Sequence, residues 1–126
     1  MEAKLMYVEL KSGYSDDGPA YIGKAFFSKT GKSVYFNGLT FSKHSRGGGN
    51  YFDIINGEYY WISGIKKRGT NRHWAGHGKI KIDKNAVDEY LAIKNLSELA
   101  KNRFEIVELT NTPAIESSNE YFNQKL

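Results

Sequence analysis

Asn56-Gly57 stands between Tyr51-Phe52-Asp53-Ile54-Ile55 and Glu58-Tyr59-Tyr60-Trp61-Ile62-Ser63-Gly64-Ile65, two runs rich in aromatic and β-branched residues. An Asn-Gly pair suits a type I′ turn, which joins two antiparallel strands whose twist it matches. A β-hairpin at the centre of the chain follows, and its neighbours must pair with it or pack on it. Leu5 to Lys11 alternates and is rich in strand formers, and Ser12-Gly13-Tyr14-Ser15-Asp16-Asp17-Gly18-Pro19 reads as a polar loop. Ala20 to Lys29 and Ser33 to Ser42 are two more strand-like runs, expected to pair through the Thr30-Gly31-Lys32 turn. Asn37-Gly38 inside the second run is either a tight turn of its own or a bulge. Arg46-Gly47-Gly48-Gly49 is expected to be a mobile loop, because glycine reaches positive φ at no steric cost. His77 to Asp83 reads as a closing strand with Lys79 and Lys81 pointing outward.

The period then changes. Asp83 or Asn85 caps a helix through Ala86 to Lys94, with Val87, Tyr90, Leu91 and the stem of Lys94 along one face. Ser97 starts a short turn through Lys101, and Phe104 to Leu109 reads as a last strand. The expected fold is mainly β with one or two short helices: a small, strongly bent antiparallel sheet or SH3-like barrel, with an oligonucleotide-binding-type barrel as second choice. The expected organisation is a single β-rich domain over 1–110, with a helix near 85–95, followed by a polar C-terminal tail over 111–126 that holds at most a short helix.

Charge is distributed unevenly along this framework. Residues 24–84 hold twelve of the eighteen Lys and Arg and three of the fourteen Asp and Glu, a net charge of +9. The flanking segments sum to −2 and −3. A basic middle of this kind points to an anionic partner. The chain has no Cys, which excludes a disulfide framework, Cys-ligated metal and thiol catalysis. It shows neither a signal-peptide run nor about 20 consecutive apolar residues, so the location expected is cytoplasmic and no membrane partner is expected.

The chemistry-bearing candidates cluster in loops. Arg46, Lys66, Lys67, Arg68, Arg72, His73 and Trp74 form one binding patch if the Gly-rich loop folds near the 66–72 loop. Cations would meet phosphates there while Trp74 or exposed tyrosines stack on bases. The plainer alternative is that these lysines occupy the solvated face of alternating strands and protect sheet edges. Arg72 is harder to bury, whereas Trp74 reads more readily as a core ring pinning its loop than as an exposed stacking platform. His73 and His77 have the spacing of a helical zinc pair, but Gly76 and Gly78 make a helix there improbable and the acidic residue of that motif is missing. With His44 as a third candidate the set still reads as polar loop histidines, so no metal and no cofactor is expected. The glycines after Arg46 lack the spacing and the following helix of a P-loop. Asp16-Asp17 reads as a turn, and Asp53, Glu58 and Asp83 as lysine partners or caps. No serine lies in a nucleophile-elbow context, so no catalytic residue is assigned.

Residues 11–23, with Tyr35-Phe36-Asn37-Gly38 and Tyr60-Trp61-Ile62-Ser63-Gly64-Ile65 through Arg72-His73-Trp74-Ala75-Gly76, carry a resemblance over about residues 4–110. The chain resembles a family of short, uncharacterised bacterial proteins, from which no catalytic residue carries over. Members sometimes bear the name deoxyxylulose-phosphate synthase. That activity does not fit: such a synthase is several times longer, and its Gly-Asp-Gly and Asn diphosphate signature has no match here.

Three functions remain open. The first is binding of nucleic acid or another polyanion, without chemistry, through the basic aromatic loop. The second is a protein-interaction module that grips a partner with Tyr21, Tyr35, Tyr59 and Trp61 or adds a strand at a sheet edge. The third is a sugar-binding or small-molecule domain, or an enzyme, using His44, His73 and His77.

Overall fold

The computed structural model describes residues 2–14, 18–44, 49–72 and 78–110. Eight strands form among them: β1 (Glu2–Leu10), β2 (Ala20–Phe27), β3 (Ser33–Phe36), β4 (Leu39–Lys43), β5 (Tyr51–Asp53), β6 (Tyr59–Gly64), β7 (Ile80–Asp83) and β8 (Phe104–Val107). A 3-10 turn at Lys84–Ala86 leads into α1, Val87–Lys94, the one α-helix among the described residues. The tail expected over 111–126 lies outside the described residues.

Six strands close into an antiparallel barrel. The order β1-β6-β5-β4-β3-β2 returns on itself because β1 also pairs with β2, from Glu2↔Phe27 to Glu9↔Ala20. This is the small β-barrel that the hairpin grammar implied. Closure removes the open edges that a flat sheet of aromatic strands would present.

Two parallel pairings depart from the all-antiparallel expectation. β7 pairs with β2 at Tyr21↔Lys81 and Ile22↔Ile82, and β8 pairs with β7 along its whole length. Parallel neighbours need a crossover of a dozen or more residues, and α1 with its flanking turns supplies it between Asp83 and Phe104. The second edge of β2 is thus divided: its first half takes β7 and its end takes β3 at Phe26↔Tyr35 and Phe27↔Val34. Gly23 sits at the division, where a Cβ would meet Leu109 Cδ1 at 3.0 Å and Phe36 Cε1 at 3.1 Å.

The turns refine the sequence reading. Asn37 (φ 48°) and Gly38 (φ 77°) both have positive φ and join β3 to β4 with Phe36 opposite Leu39, so the run read as one strand over Ser33–Ser42 is two strands and a type I′ turn. At Asn56-Gly57 the hairpin forms but the turn is longer than two residues. Only Gly57 has positive φ, its N–H donates to Asp53 O at 2.8 Å, and Asp53 Oδ1 accepts from Ile55 N at 2.8 Å. The buried Asp53 carboxylate thereby caps its own turn, with no lysine partner among the described residues. Asp83 accepts from Asn85 N at 3.3 Å and starts the 3-10 turn, and Asn95, in the left-handed region at φ 56°, ends α1.

Strict alternation along β1 and β2 feeds two cores. Val8, Ala25, Val34, Phe36, Phe41, Tyr51, Tyr60 and Ile62 fill the barrel, where Phe41 and Tyr60 meet edge to face at 4.7 Å. Leu5, Tyr7, Ala20 and Ile22 point out of the barrel and are covered by Ile80, Ile82, Ala86 and Tyr90. Val87, Leu91 and Ile93 of α1 pack on this second core. Each fully buried large side chain such as Phe41 contributes about 1.5–3 kcal/mol.

Candidate functional site

The helix covers one half of the barrel's outer face, over β1, β2 and β7. On the other half, register places Ser42 beside Phe52 and Phe52 beside Tyr59, all on the outer face. Tyr59 and Trp61 follow each other there with Tyr60 and Ile62 turned inward, and they are 39% and 43% exposed. His44, just beyond β4, lies against Tyr59 at 4.8 Å between ring centroids and meets Phe52 edge-on at 5.7 Å. Phe52, Tyr59 and His44 are therefore in ring contact, and Trp61 extends the strip along β6.

At its border with the helix-covered half, the strip meets a buried polar cluster. Glu9 faces Trp61 across the β1–β6 pairing and is 2% exposed. A carboxylate so deep in the fold needs partners. Tyr7 donates its hydroxyl hydrogen to Glu9 Oε1, and Lys11 Nζ donates to Glu9 Oε2 at 2.8 Å. Arg72, 3% exposed, places Nη1 3.7 Å from Glu9 Oε1 and donates from it to Gly18 O at 2.9 Å. Its Nε is buried with no hydrogen-bond partner among the described residues. Burial first, then the hydrogen bond to Glu9 and its charge, hold the Tyr7 hydroxyl well above the ordinary tyrosine range, with Arg72 opposing. Tyr7 is thus a fixed donor rather than a titrating acid.

The basic loop leaves the same strand. Asn71 Nδ2 donates to Ser63 Oγ at 3.1 Å and to Gly64 O at 2.9 Å, folding residues 65–71 back on the end of β6. From α1, Lys94 Nζ donates to the carbonyls of Lys66 and Gly69. Lys66, Lys67 and Arg68 are exposed on the loop so held.

Arg72 belongs elsewhere than the sequence put it. The sequence places it on the surface with Lys66, Lys67 and Arg68, but Glu9 and the Gly18 carbonyl give its guanidinium buried acceptors, so it ties chain segments together instead of facing solvent. Arg46, His73, Trp74 and His77 lie outside the described residues, as do Asp16 and Asp17. The four-ring surface expected from Tyr21, Tyr35, Tyr59 and Trp61 is divided: Tyr35 is 8% exposed and Tyr21 packs against the barrel core, in edge contact with Phe36 at 6.3 Å. Sequence reasoning does not single out Phe52 or Glu9. Alternation from Tyr59 and Trp61 through the hairpin identifies Phe52, and Glu9 stands out as the one charged residue in the apolar run Leu5–Leu10. Among the described residues no group of three His, Cys, Asp or Glu could hold a metal ion, and no helix is long and apolar enough to cross a membrane.

Fold and surface together define a small closed β-barrel with a helix on one flank and a strip of partly exposed rings on the other. Compared with protein-family models, curated proteins and solved structures, the chain matches none.

Proposed function

We propose that the protein is a cytoplasmic, non-catalytic nucleic-acid-binding barrel that takes single-stranded nucleic acid along the outer face of β5 and β6. Bases stack on Tyr59 and Trp61 with His44 and Phe52 behind them, and phosphates meet Lys66, Lys67 and Arg68. The observation that carries this reading is the exposed ring strip running along the strand from which the basic loop emerges. Such a strip needs bases whose faces are free, which a duplex hides, and stacking tolerates any sequence. The basic middle of the chain supplies the electrostatic attraction, which weakens as salt rises because phosphate contacts release counterions.

Fluorescence anisotropy of labelled single- and double-stranded oligonucleotides tests it at low and moderate salt. Single strands should bind more tightly than duplexes, and binding should fall steeply with salt. No binding at micromolar protein in about 50 mM salt would end the idea. Heparin binding as well as the oligonucleotides would reduce it to a polyanion surface.

A second reading, a protein-interaction module, is favoured by one observation. β8 is the last strand in the sheet order, and Ile106 on it is 59% exposed, so a partner strand could add there. Binding through β8 would be insensitive to salt and to substitution of Trp61.

A further inference from the structure

β8 ends the sheet, and no described strand lies beyond it. Ile80 is paired with Phe104, and Ile80 N donates to Arg103 O at 2.9 Å. In a parallel ladder a residue bonds to the two neighbours of its partner, so Arg103, Glu105 and Val107 turn their backbone groups towards β7. Phe104 and Ile106 turn theirs to the open edge. Phe104 N donates to Ala100 O at 3.2 Å, whereas the N–H and C=O of Ile106 meet no partner among the described residues. The Ile106 side chain is 59% exposed, more than any other large apolar side chain in the eight strands. Free ladder groups beside an exposed apolar side chain are a template for another strand, and β8 carries neither proline nor lysine to blunt it.

Charge and chain path narrow the occupant to a second copy of this chain. Glu108 pairs with Lys84 at 3.2 Å and Glu105 stands in register with Lys81, so each acid at this edge has a lysine of its own. Such an edge draws in neither a polycation nor a polyanion. The described chain also leaves it after Val107: Leu109 packs on the barrel core, and Thr110 N donates to Asn37 Oδ1 at 2.9 Å, beyond β7 and β2 in the sheet order. Two copies meeting antiparallel about a two-fold axis set edge-facing residues opposite each other, so Ile106 must oppose Phe104, Ile106 or Glu108 of the second copy. Opposing Phe104 would set Glu105 against Glu105, and opposing Glu108 would set the apolar side chain against an acid. We propose that the protein forms a two-fold dimer in which β8 pairs antiparallel with β8 of a second copy, Ile106 opposite Ile106. Glu105 then lies opposite Val107. The pairing commits the open β8 edge to self-association. β7, β2 and β1 separate β8 from β6, so the ring strip stays open and the dimer stands independently of nucleic-acid binding.

The chain has no Cys, so single-cysteine variants of the full chain read the register directly. Opposed residues in a hydrogen-bonded antiparallel pair have Cα atoms about 5.5 Å apart, within disulfide reach, whereas the two copies of Glu105 would be about 8 Å apart, beyond it. With oxidised glutathione, Ile106→Cys should form a disulfide-linked dimer, and Glu105→Cys, also exposed, should form at least about tenfold less. A four-residue strand makes a small interface, so the unaltered chain should dimerise with a Kd of about 100 µM, read by sedimentation as a mass rising from one chain towards two between about 10 µM and 1 mM. Ile106→Lys should remove that rise and leave the melting temperature at micromolar protein unchanged, because the side chain stands in solvent in a single copy. A chain that stays monomeric to about 1 mM, crosslinking of Glu105→Cys that equals or exceeds that of Ile106→Cys, or a dimer that survives Ile106→Lys would overturn the proposal.

Discussion

Glu9 and Trp61 are paired across β1 and β6 on the outer face of the barrel, yet Glu9 is 2% exposed and Trp61 43%. The boundary between the covered and open halves of the barrel runs between these two residues. On one side Tyr7, Lys11 and Arg72 satisfy a carboxylate; on the other a ring is left for solvent or a ligand. The buried cluster fixes the frame, and the rings beside it carry the proposed contact.

Removing the charge of Glu9 should therefore be costly. Glu9→Gln leaves Arg72 buried without its carboxylate, and breaking such a buried pair costs about 3 kcal/mol or more. Urea denaturation should show a lower midpoint with an unchanged slope. An unaltered midpoint would mean that Glu9 and Arg72 do not depend on each other.

Gly18 should tolerate no side chain. A Cβ there would lie 1.9 Å from the carbonyl oxygen of Leu10, a backbone atom that cannot swing away. Gly18→Ala should cost about 2 kcal/mol or more and loosen the carbonyl that accepts from Arg72. Gly38→Ala meets nothing within 4 Å but must hold φ at 77°, so its cost should be smaller, about 1 kcal/mol. Thermal melts of the two variants check the order.

These positions also show what the sequence discloses. Period-two alternation exposed most strands, and the change of period after Asp83 exposed α1, because both are local patterns that burial imposes on neighbouring residues. The parallel pairing of β7 with β2 was hidden, since strand order depends on the crossover and not on composition. Arg72 was misplaced for the same reason. Its burial depends on Glu9, 63 positions earlier in the chain, and on the Gly18 carbonyl. Lys66, Lys67 and Arg68 were legible as an exposed loop because three consecutive cations have no common buried acceptor. Tyr21 and Tyr59 looked alike in sequence, and only the barrel's register separates the core-packed ring from the exposed one.

Alkaline pH should destabilise the protein through its buried tyrosines. Burial first, then the charges of Asp53 and Glu58, push Tyr60 from an ordinary value of 10.0 up to about 12, and burial also raises Tyr51 and Tyr90. With the folded pKa above the unfolded one, the folded state keeps protons that the unfolded state loses. Stability should hold below about pH 10 and fall as pH rises from there towards 12. Denaturant midpoints against pH, with phenolate absorbance, check this. Stability that stays level to pH 12 would contradict it.

Trp61→Ala should separate binding from folding. The ring is 43% exposed, so stability should change by no more than about 1 kcal/mol, whereas loss of one stacked base should weaken single-strand binding by about 1–3 kcal/mol. Replacing Lys66, Lys67 and Arg68 with Gln should instead flatten the salt dependence, by about 0.7 in logarithmic slope for each phosphate no longer neutralised. Anisotropy titrations at several salt concentrations distinguish the two effects.

The most direct measurement is an amide and side-chain NMR titration of the whole chain with a short oligothymidine. Shifts are expected at His44, Phe52, Tyr59, the Trp61 indole N–H and Lys66 to Arg68, with α1 and β8 unaffected. Shifts centred on β8 or on α1, or none at all, would contradict the proposed site.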